Sequence, residues 1–200
     1  MDQLESNSEA SEPVYAYKPA LMGAPFEFRL TKRGLEWTKG RYSDRVPYDR
    51  IRRLRLSYRP LTMQSYRFLT EIWPISGPKL QIASTSARGI VDQERHDPAY
   101  RAFVAELHRR IAATGAETRF QVGSPAVLYW MGVTVFVGAS LALAGLGLRA
   151  LQNGDLAGTA LVVAFFALFM WQVGIFFHRN RPGTYRPEAI PDQVMPRVSA

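Results

Sequence analysis

Two long stretches in the last third of the chain carry no charged side chain, and they constrain the fold more than any other feature. Asp, Glu, Lys and Arg are absent from residues 120–148 and again from residues 156–177. About 20 consecutive apolar residues are enough for a helix to cross the hydrocarbon core of a bilayer. We therefore predict two membrane-spanning helices, at 126–148 and 156–177, in an integral, multi-pass membrane protein.

The connection between the two predicted spans is only seven residues long, from Arg149 to Asp155, and it contains the turn-forming sequence Asn153-Gly154-Asp155. A connection this short forces the two helices to run antiparallel, so residues 126–178 are predicted to form a transmembrane hairpin. Arginines cluster at the outer ends of this hairpin, and positive charge is retained in the cytoplasm, so both termini are predicted to be cytoplasmic. These arginines are Arg109, Arg110 and Arg119 before the first span and Arg179, Arg181 and Arg186 after the second.

Small residues recur at helical spacing in both spans. In lipid, helices associate through close packing, and small side chains let two backbones approach each other. The spacing i, i+4, i+7 therefore indicates a packed hairpin, although alanine and glycine are also common in spans that serve only as an anchor. The candidate helix–helix packing residues are Gly138, Ala142 and Gly145 in the first span and Ala160, Ala164 and Ala167 in the second.

Charge is unevenly distributed in the rest of the chain. Residues 1–25 are acidic and rich in serine and proline, which predicts a disordered segment. Residues 26–119 contain 19 Lys and Arg against 10 Asp and Glu. Such an excess suits nucleic acid or an anionic membrane surface, but beside two spans it is first explained by cytoplasmic retention of positive charge. The chain has no cysteine, which excludes disulfide bonds, thiolate metal ligands and a cysteine nucleophile.

Apolar and polar residues alternate from residue 26 onwards, which predicts β-strands. Phe26, Phe28 and Leu30 form the first alternating set, and a turn ending at Gly34 leads into a second strand. Further strands are predicted at 53–59, 66–73 and 79–85.

A helix follows these strands. Asp97 is a suitable N-cap, Pro98 suits the first helical position, and Gly115 ends the helix. Its apolar residues recur at i, i+3, i+4, i+7 and i+11, which places them on a single face that can pack on the sheet. They are Tyr100, Phe103, Val104, Leu107 and Ile111. The strands and this helix together predict an antiparallel α+β domain.

The run LTKRGLEW…VPYDRIRRLRL (residues 30–56), followed by GPKLQIAST (residues 77–85), resembles bacterial pleckstrin-homology-like (PH-like) domains of small membrane proteins. The resemblance covers residues 26–114 and implies a PH-like β-barrel or sheet with a C-terminal capping helix, in a bacterial cytoplasmic membrane. Five strands are clear and seven are needed, so Arg45–Tyr48 and Gly89–Val91 are expected to supply the others. The predicted organisation is a disordered segment at 1–25, the PH-like domain at 26–114, a tether at 115–125, the hairpin at 126–178 and a Pro-rich cytoplasmic tail at 179–200.

The predicted strand 53–59 has basic residues along one face. If Leu56 pairs with Phe68 and Tyr58 with Tyr66, the apolar faces of the two strands agree. An ordinary cross-strand pair then neutralises Arg53, whose predicted partner is Glu71, while three arginines are left without a counter-charge. These three, Arg55, Arg59 and Arg67, are the candidate contact for an anionic surface. The alternatives are a solvated sheet face and a contact with a protein partner.

Catalytic patterns are not found. The three histidines, His96, His108 and His178, lie in different segments and lack the spacing of metal ligands. We assign no catalytic, metal-binding or cofactor-binding residue and do not expect an enzyme. Nucleic acid is not an expected partner, because the aromatic residues are predicted to lie on the inner face of the sheet.

The leading hypothesis is a membrane-anchored cytoplasmic PH-like binding or scaffolding module that contacts anionic lipid headgroups or a membrane-protein partner. The alternative is a small accessory subunit of a transporter or other membrane complex that acts through its transmembrane hairpin. Either is compatible with a homo-oligomer.

Overall fold

The computed structural model describes residues 12–60, 66–89 and 93–197, and these divide into two compact units. The first unit, the sheet domain, contains the residues up to 121 together with those from 184 onwards. The second unit, the hairpin, contains residues 122–183. The predicted α+β class is confirmed: antiparallel sheets are followed by two long apolar helices.

The first sheet of the domain has four antiparallel strands in sequence order. Its core residues alternate as expected for a sheet with one buried face, and Phe28, Leu30 and Leu35 have no exposed surface. The register places Phe28 opposite Trp37 and Leu30 opposite Leu35, which is the predicted hairpin. The strands are β1 (Val14–Tyr17), β2 (Phe26–Thr31), β3 (Gly34–Lys39) and β4 (Tyr42–Val46).

Strand β1 lies inside the segment that the sequence predicts to be disordered. Residues 1–11 of that segment lie outside the described residues, whereas Tyr15 and Tyr17 are buried in the domain. The hydroxyl of Tyr15 donates to the carbonyl oxygen of Ala83 at 2.6 Å, and that of Tyr17 donates to the carbonyl oxygen of Gln81 at 2.7 Å. Two tyrosines at alternate positions bury enough aromatic surface to order this short strand.

The second sheet has five strands, in the order β11-β10-β5-β6-β7, and β8 and β9 form a small separate hairpin. Tyrosine hydroxyls, not a ladder of backbone hydrogen bonds, join β1 to β7, and the described strands do not form a closed barrel. The expected strand at Arg45–Tyr48 overlaps β4, while the one at Gly89–Val91 falls mainly outside the described residues. The strands are β5 (Ile51–Pro60), β6 (Tyr66–Pro74), β7 (Leu80–Ala83), β8 (Thr85–Ala87), β9 (Gln93–Arg95), β10 (Arg119–Val122) and β11 (Gly183–Thr184).

Helix α1 (Asp97–Ala113) buries the predicted apolar face. Its Tyr100 hydroxyl lies 2.7 Å from the hydroxyl of Thr70 on β6, so the helix is joined to the sheet by a buried hydrogen bond as well as by apolar packing. Strand β10 follows six residues after the helix, in the segment 115–125 that is predicted to be a tether. Phe120 and Val122 are too short a pattern to indicate a strand, but both are buried.

The residues that follow the second long helix return to the sheet domain. We call residues 184–196 the return segment. Val194 and Met195 of this segment are buried, and Arg101 of α1 donates to the carbonyl oxygen of Pro196 at 2.9 Å. The predicted Pro-rich tail at 179–200 is therefore folded onto the domain over most of its length.

The hairpin consists of α2 (Ala126–Gln152) and α3 (Leu156–Arg179), each long and apolar enough to cross a membrane. No residue of either helix is buried. The Asp155 carboxylate caps α3 by accepting from the backbone N–H of Gly158 at 2.8 Å. The helices touch along a seam in which the ring of Phe136 lies 5.2 Å from that of Phe169 and 5.4 Å from that of Phe177.

The two ends of the hairpin are joined by a tight neck. The backbone N–H of Ser124 donates to the carbonyl oxygen of Asn180 at 3.0 Å, and Asn180 is buried. Gly123 has a φ of +83°, and a Cβ at this position would lie 2.4 Å from the carbonyl oxygen of Arg181. Only glycine therefore fits between the two chain segments.

Candidate functional site: a basic sheet face

Alternation along β5 and β6 divides their side chains between two faces. Leu54, Leu56 and Ile72 point into the core and have no exposed surface. The opposite face, which we call the basic face, collects five cationic side chains, one carboxylate and one indole. It consists of Arg53, Arg55, Arg59, Arg67, Lys79, Glu71 and Trp73.

The observed register corrects the predicted pairing by two residues. Tyr58 pairs with Phe68 instead of Tyr66, and Glu71 lies opposite Arg55 instead of Arg53. The connection that follows β5 sets the register, and a shift of two residues leaves every side chain on its original face. The predicted face is therefore right, but the predicted partners on it are wrong.

Glu71 lies at the centre of the basic face and is only 2% exposed. Its Oε1 accepts from the ammonium group of Lys79 and, at 3.3 Å, from the side-chain amide of Gln81. The guanidinium of Arg59 lies 3.7 Å from the same oxygen, which is an ion pair beyond hydrogen-bonding distance. The cluster that the sequence predicts to be uncompensated therefore contains one buried counter-charge.

Three cations of the basic face lie over the indole ring of Trp73, at one end of that face. The guanidinium carbon of Arg53 lies 4.0 Å from the centroid of the indole ring, and that of Arg55 lies 4.7 Å from it. The ammonium nitrogen of Lys79 lies 4.8 Å away. Cations held over an indole in this way gain from the negative electrostatic face of the ring.

The other end of the basic face has no such partner. Arg59 and Arg67 are paired directly across β5 and β6, which puts two like charges opposite each other. Nε of Arg67 is buried and has no hydrogen-bond partner among the described residues, and the same holds for Nε of Arg55. Burial lowers the pKa of both guanidinium groups, and for Arg67 the nearby charge of Arg59 lowers it further.

The three predicted contact residues, Arg55, Arg59 and Arg67, are thus brought onto one face. Their surroundings were only partly visible in the sequence. The period of two places Glu71 and Trp73 on the same face as Arg67, but nothing in the sequence shows that Lys79 reaches across to Glu71.

The predicted packing residues of the spans are not brought to the seam. All six are exposed, and a Cβ added at Gly138 or at Gly145 would meet no atom within 4 Å. The seam uses Gly132 instead, where a Cβ would lie 3.3 Å from the ring of Phe177, and Gly147, where it would lie 3.4 Å from Val162. The residues on the faces turned away from the seam are Gly138, Ala142, Gly145, Ala160, Ala164 and Ala167.

Two histidines make hydrogen bonds that the sequence does not indicate. Nε2 of His96 lies 3.0 Å from the hydroxyl of Ser86. The same hydroxyl accepts a hydrogen bond from the backbone N–H of Lys18, so the pair links the residue after β1 to β8. His108 is 1% exposed, and burial lowers its pKa to about 4. Its Nδ1–H donates to the carbonyl oxygen of Val104 at 2.6 Å, and its Nε2 accepts from the hydroxyl of Tyr185 at 2.7 Å.

These arrangements do not form a metal centre. Within residues 12–60, 66–89 and 93–197, no three His, Asp or Glu side chains are grouped closely enough to hold a metal ion. The Ser86–His96 pair has a structural use, and His108 is enclosed by the return segment. The basic face is therefore the strongest candidate for a functional site.

Comparison of the chain with protein-family models, with curated proteins and with solved structures finds no match. The functional interpretation consequently depends on the residues themselves.

Proposed function

We propose that this protein is a membrane-anchored PH-like binding module whose basic face contacts anionic lipid headgroups. In this proposal the hairpin of α2 and α3 crosses a bacterial cytoplasmic membrane, and the sheet domain lies on the cytoplasmic side with both termini. The protein then acts by presenting a folded binding surface and not by catalysis.

The connection between the two units carries this proposal. Only three residues separate β10 from α2, and only three separate α3 from β11. These two strands are neighbours in one sheet, so both ends of the hairpin run into the same folded domain. A domain that receives both ends of the hairpin supports the proposal that both termini lie on one side of the bilayer, and the flanking arginines favour the cytoplasmic side.

The order of elements supports the PH-like assignment. Four strands form one antiparallel sheet, and the next three strands β5–β7 belong to a second sheet. The small hairpin β8–β9 comes next, and α1 then packs on both sheets through Tyr100. The resemblance of residues 26–114 implies several short antiparallel strands followed by one capping helix. Strand β1 supplies an additional strand that the sequence pattern did not reveal.

The charges of the basic face support the lipid contact. Five cations share this face with a single carboxylate, and each basic side chain close to an anionic bilayer surface contributes about 1 kcal/mol of attraction. Trp73 adds an indole, a side chain that is favoured at the level of lipid headgroups.

The lipid contact can be tested with a probe on the basic face. Because the chain has no cysteine, Gln81→Cys, which is exposed beside Glu71, can carry a single environment-sensitive dye. The labelled full chain is placed in nanodiscs of phosphatidylcholine with or without 30 mol% phosphatidylglycerol. We expect the dye emission to shift to the blue only with the anionic lipid and to return in 0.5 M salt, since headgroup attraction is screened.

A matched label at Ser43→Cys on β4 controls for general effects of the lipid, because that residue is exposed on the other sheet. An equal response of both labels, or no response of the Gln81→Cys label, would rule out contact through the basic face.

Labelling of Asn153→Cys and Ala189→Cys with a membrane-impermeant thiol reagent tests the topology. We expect the loop and the return segment to be accessible from opposite sides.

A second candidate function is an accessory subunit that acts through the hairpin. It is favoured by the outward position of the small residues, because these leave both helices with surfaces that another transmembrane helix can approach closely. Replacement of α2 and α3 by an unrelated two-span hairpin separates the two candidates. Loss of a membrane partner after this exchange, with an unchanged dye response at Gln81→Cys, would favour the subunit.

A further inference from the structure

Two arginines lie directly opposite each other where β5 ends and β6 begins. The register pairs Arg59 with Arg67, and directly opposed side chains have Cβ atoms about 5 Å apart. Like charges at this separation repel each other, so the pair lowers the stability of the sheet unless an anion lies between them.

The described part of the chain supplies one carboxylate near this pair, and that carboxylate is largely used by other residues. Glu71 is the sole carboxylate of the basic face, and its Oε1 is already bonded to Lys79 and Gln81. Arg59 approaches it only to 3.7 Å, and Arg67 has no ion pair with any described carboxylate. Nε of Arg67 is also buried without a hydrogen-bond acceptor in the described part of the chain, and a buried donor left without an acceptor is costly.

We infer that the Arg59–Arg67 pair is a binding site for a phosphate monoester group. The inference rests on the proposed function of the basic face and gives it a specific ligand. A phosphate monoester carries close to two negative charges at pH 7, which match the two guanidinium groups. Its three oxygens accept bidentate hydrogen bonds from arginine, and one of them can satisfy Nε of Arg67.

The opposite end of the same face provides the contrast. Arg53 and Arg55 are stacked on Trp73, and Arg55 lies directly opposite Glu71, whereas Arg59 lies directly opposite another arginine. Nε of Arg55 lacks an acceptor among the described residues just as Nε of Arg67 does, so the two ends differ in the aromatic partner and in the charge that faces each arginine. Both ends contribute two arginines to the face. A diffuse attraction to anions would use them equally, whereas a discrete site would use Arg59 and Arg67.

A phosphate monoester can come from a lipid headgroup or from a soluble metabolite, and two measurements distinguish these sources. The full chain is purified in neutral detergent and titrated calorimetrically with glycerol 3-phosphate, a soluble monoester. Separately, the chain is incubated with equal amounts of phosphatidic acid, phosphatidylglycerol and phosphatidylcholine, and the retained lipids are counted by native mass spectrometry. Retention of phosphatidic acid over phosphatidylglycerol identifies a headgroup, and binding of glycerol 3-phosphate alone identifies a soluble ligand.

The decisive comparison is between two double variants with equal loss of charge. We expect R59Q/R67Q to weaken binding of the monoester at least tenfold and R53Q/R55Q to weaken it less than twofold. We expect R59K/R67K, which keeps the charge but loses the forked donors, to weaken it about fivefold. The single variant Arg59→Gln changes an exposed side chain, so it tests the site even where substitution of the half-buried Arg67 prevents folding.

Equal weakening by the two double variants would overturn the discrete site and leave the proposed lipid contact in place. Absence of monoester binding by the wild-type chain would overturn it as well. The proposed function itself fails only if the dye at Gln81→Cys also shows no response to anionic lipid, or responds no more than the label at Ser43→Cys. The two failures are therefore distinguishable.

Discussion

The sheet domain and the hairpin are stabilised in different ways, although each is made of regular secondary structure. The domain has a closed core in which Phe28, Leu54 and Tyr100 have no exposed surface. Neither helix of the hairpin has a buried residue, and the two helices meet only along a seam of aromatic rings and glycines. Removal of apolar surface from water stabilises the domain, whereas the hairpin helices leave an apolar outer surface that is long enough to cross a membrane.

Because of this difference, the effect of a substitution on stability depends on whether the residue lies in the sheet domain or in the hairpin. Leu54 and Leu141 are both leucines in regular structure, yet the first is fully buried and the second is 69% exposed. Loss of a buried side chain leaves a cavity, whereas loss of a lipid-facing side chain exchanges one apolar surface for another. Four predictions test this comparison.

The largest effect is expected from the core of the domain. Leu56→Ala removes a side chain with no exposed surface and should lower the free energy of unfolding of the domain by about 3 kcal/mol. Urea unfolding of the full chain in detergent measures this, with Trp37 and Trp73 as the fluorophores after Trp130 and Trp171 are replaced by Phe. In the same background Leu141→Ala should leave the domain unchanged, and equal effects of the two substitutions would contradict the comparison.

The next effect is expected at the neck, where the chain enters and leaves the hairpin. Gly123→Ala puts a Cβ within 2.4 Å and 2.5 Å of the carbonyl oxygens of Arg181 and Asn180, at a φ of +83°. Backbone displacement and the unfavourable φ together should cost about 2–3 kcal/mol. Differential scanning calorimetry of the full chain measures the loss. Gly154→Ala has a similar φ of +73° but meets no atom within 4 Å, so it should cost only about 1 kcal/mol.

The third effect is a dependence on pH that arises from His108. Burial lowers the pKa of this side chain to about 4 from its usual 6.5, so the unfolded chain binds more protons than the folded chain between these values. Stability should therefore fall as the pH is lowered from 6.5 towards 4, by about 2 kcal/mol at pH 5. Protonation of Nε2 also removes the acceptor for the hydroxyl of Tyr185, so release of the return segment should accompany the loss.

The variant His108→Gln separates this contribution from that of the carboxylates. Urea unfolding at pH 7 and pH 5 is measured for both proteins, and the variant should lose about 2 kcal/mol less than the wild type over this interval. Parallel losses in the two proteins would show that the pKa of His108 is the same in the folded and the unfolded chain, so that burial does not lower it.

The smallest effect is expected from the seam of the hairpin. Gly132→Leu should separate the helices, because even a Cβ at this position lies 3.3 Å from the ring of Phe177, and the cost should be about 1 kcal/mol. Ser140→Cys with Met170→Cys forms a reporter, since Oγ and Sδ of the native pair lie 3.6 Å apart. Oxidation of this pair in membranes should become slower in Gly132→Leu. Gly138→Leu and Gly145→Leu point away from the seam and should leave the rate unchanged.

The patterns that could be predicted from the sequence are those that extend over many residues. The two apolar stretches became α2 and α3, and the five-residue apolar face of α1 is buried. Alternation also assigned the arginines of β5 to the correct face. It could not assign their partners, because a register shift of two residues preserves both faces. The length and conformation of the connection between strands decide the register, and a period of two contains no information about them.

The short elements could not be predicted. Tyr15 and Tyr17 belong to a four-residue strand between Pro13 and Pro19, and Val194 and Met195 follow a series of prolines, so both segments are too short to show a reliable period. Their burial depends on surfaces built by distant parts of the chain. The small residues that face the seam could not be predicted for another reason. Gly132 and Gly138 look alike in the sequence, and the bulky rings of Phe136 and Phe177 decide which face each helix turns to its partner.

The return of the chain to the sheet domain has a consequence for biosynthesis. Strand β11 pairs with β10, but the ribosome makes Gly183 only after it has made all of the hairpin that follows Val122. At about 5–20 residues per second, this delay lasts about 3–12 seconds. During that time the edge of β10 is unpaired and the sites of Val194 and Met195 are uncovered. A chain whose second span fails to insert therefore keeps an exposed strand edge and an open apolar surface, which are features that cellular proteases and chaperones recognise.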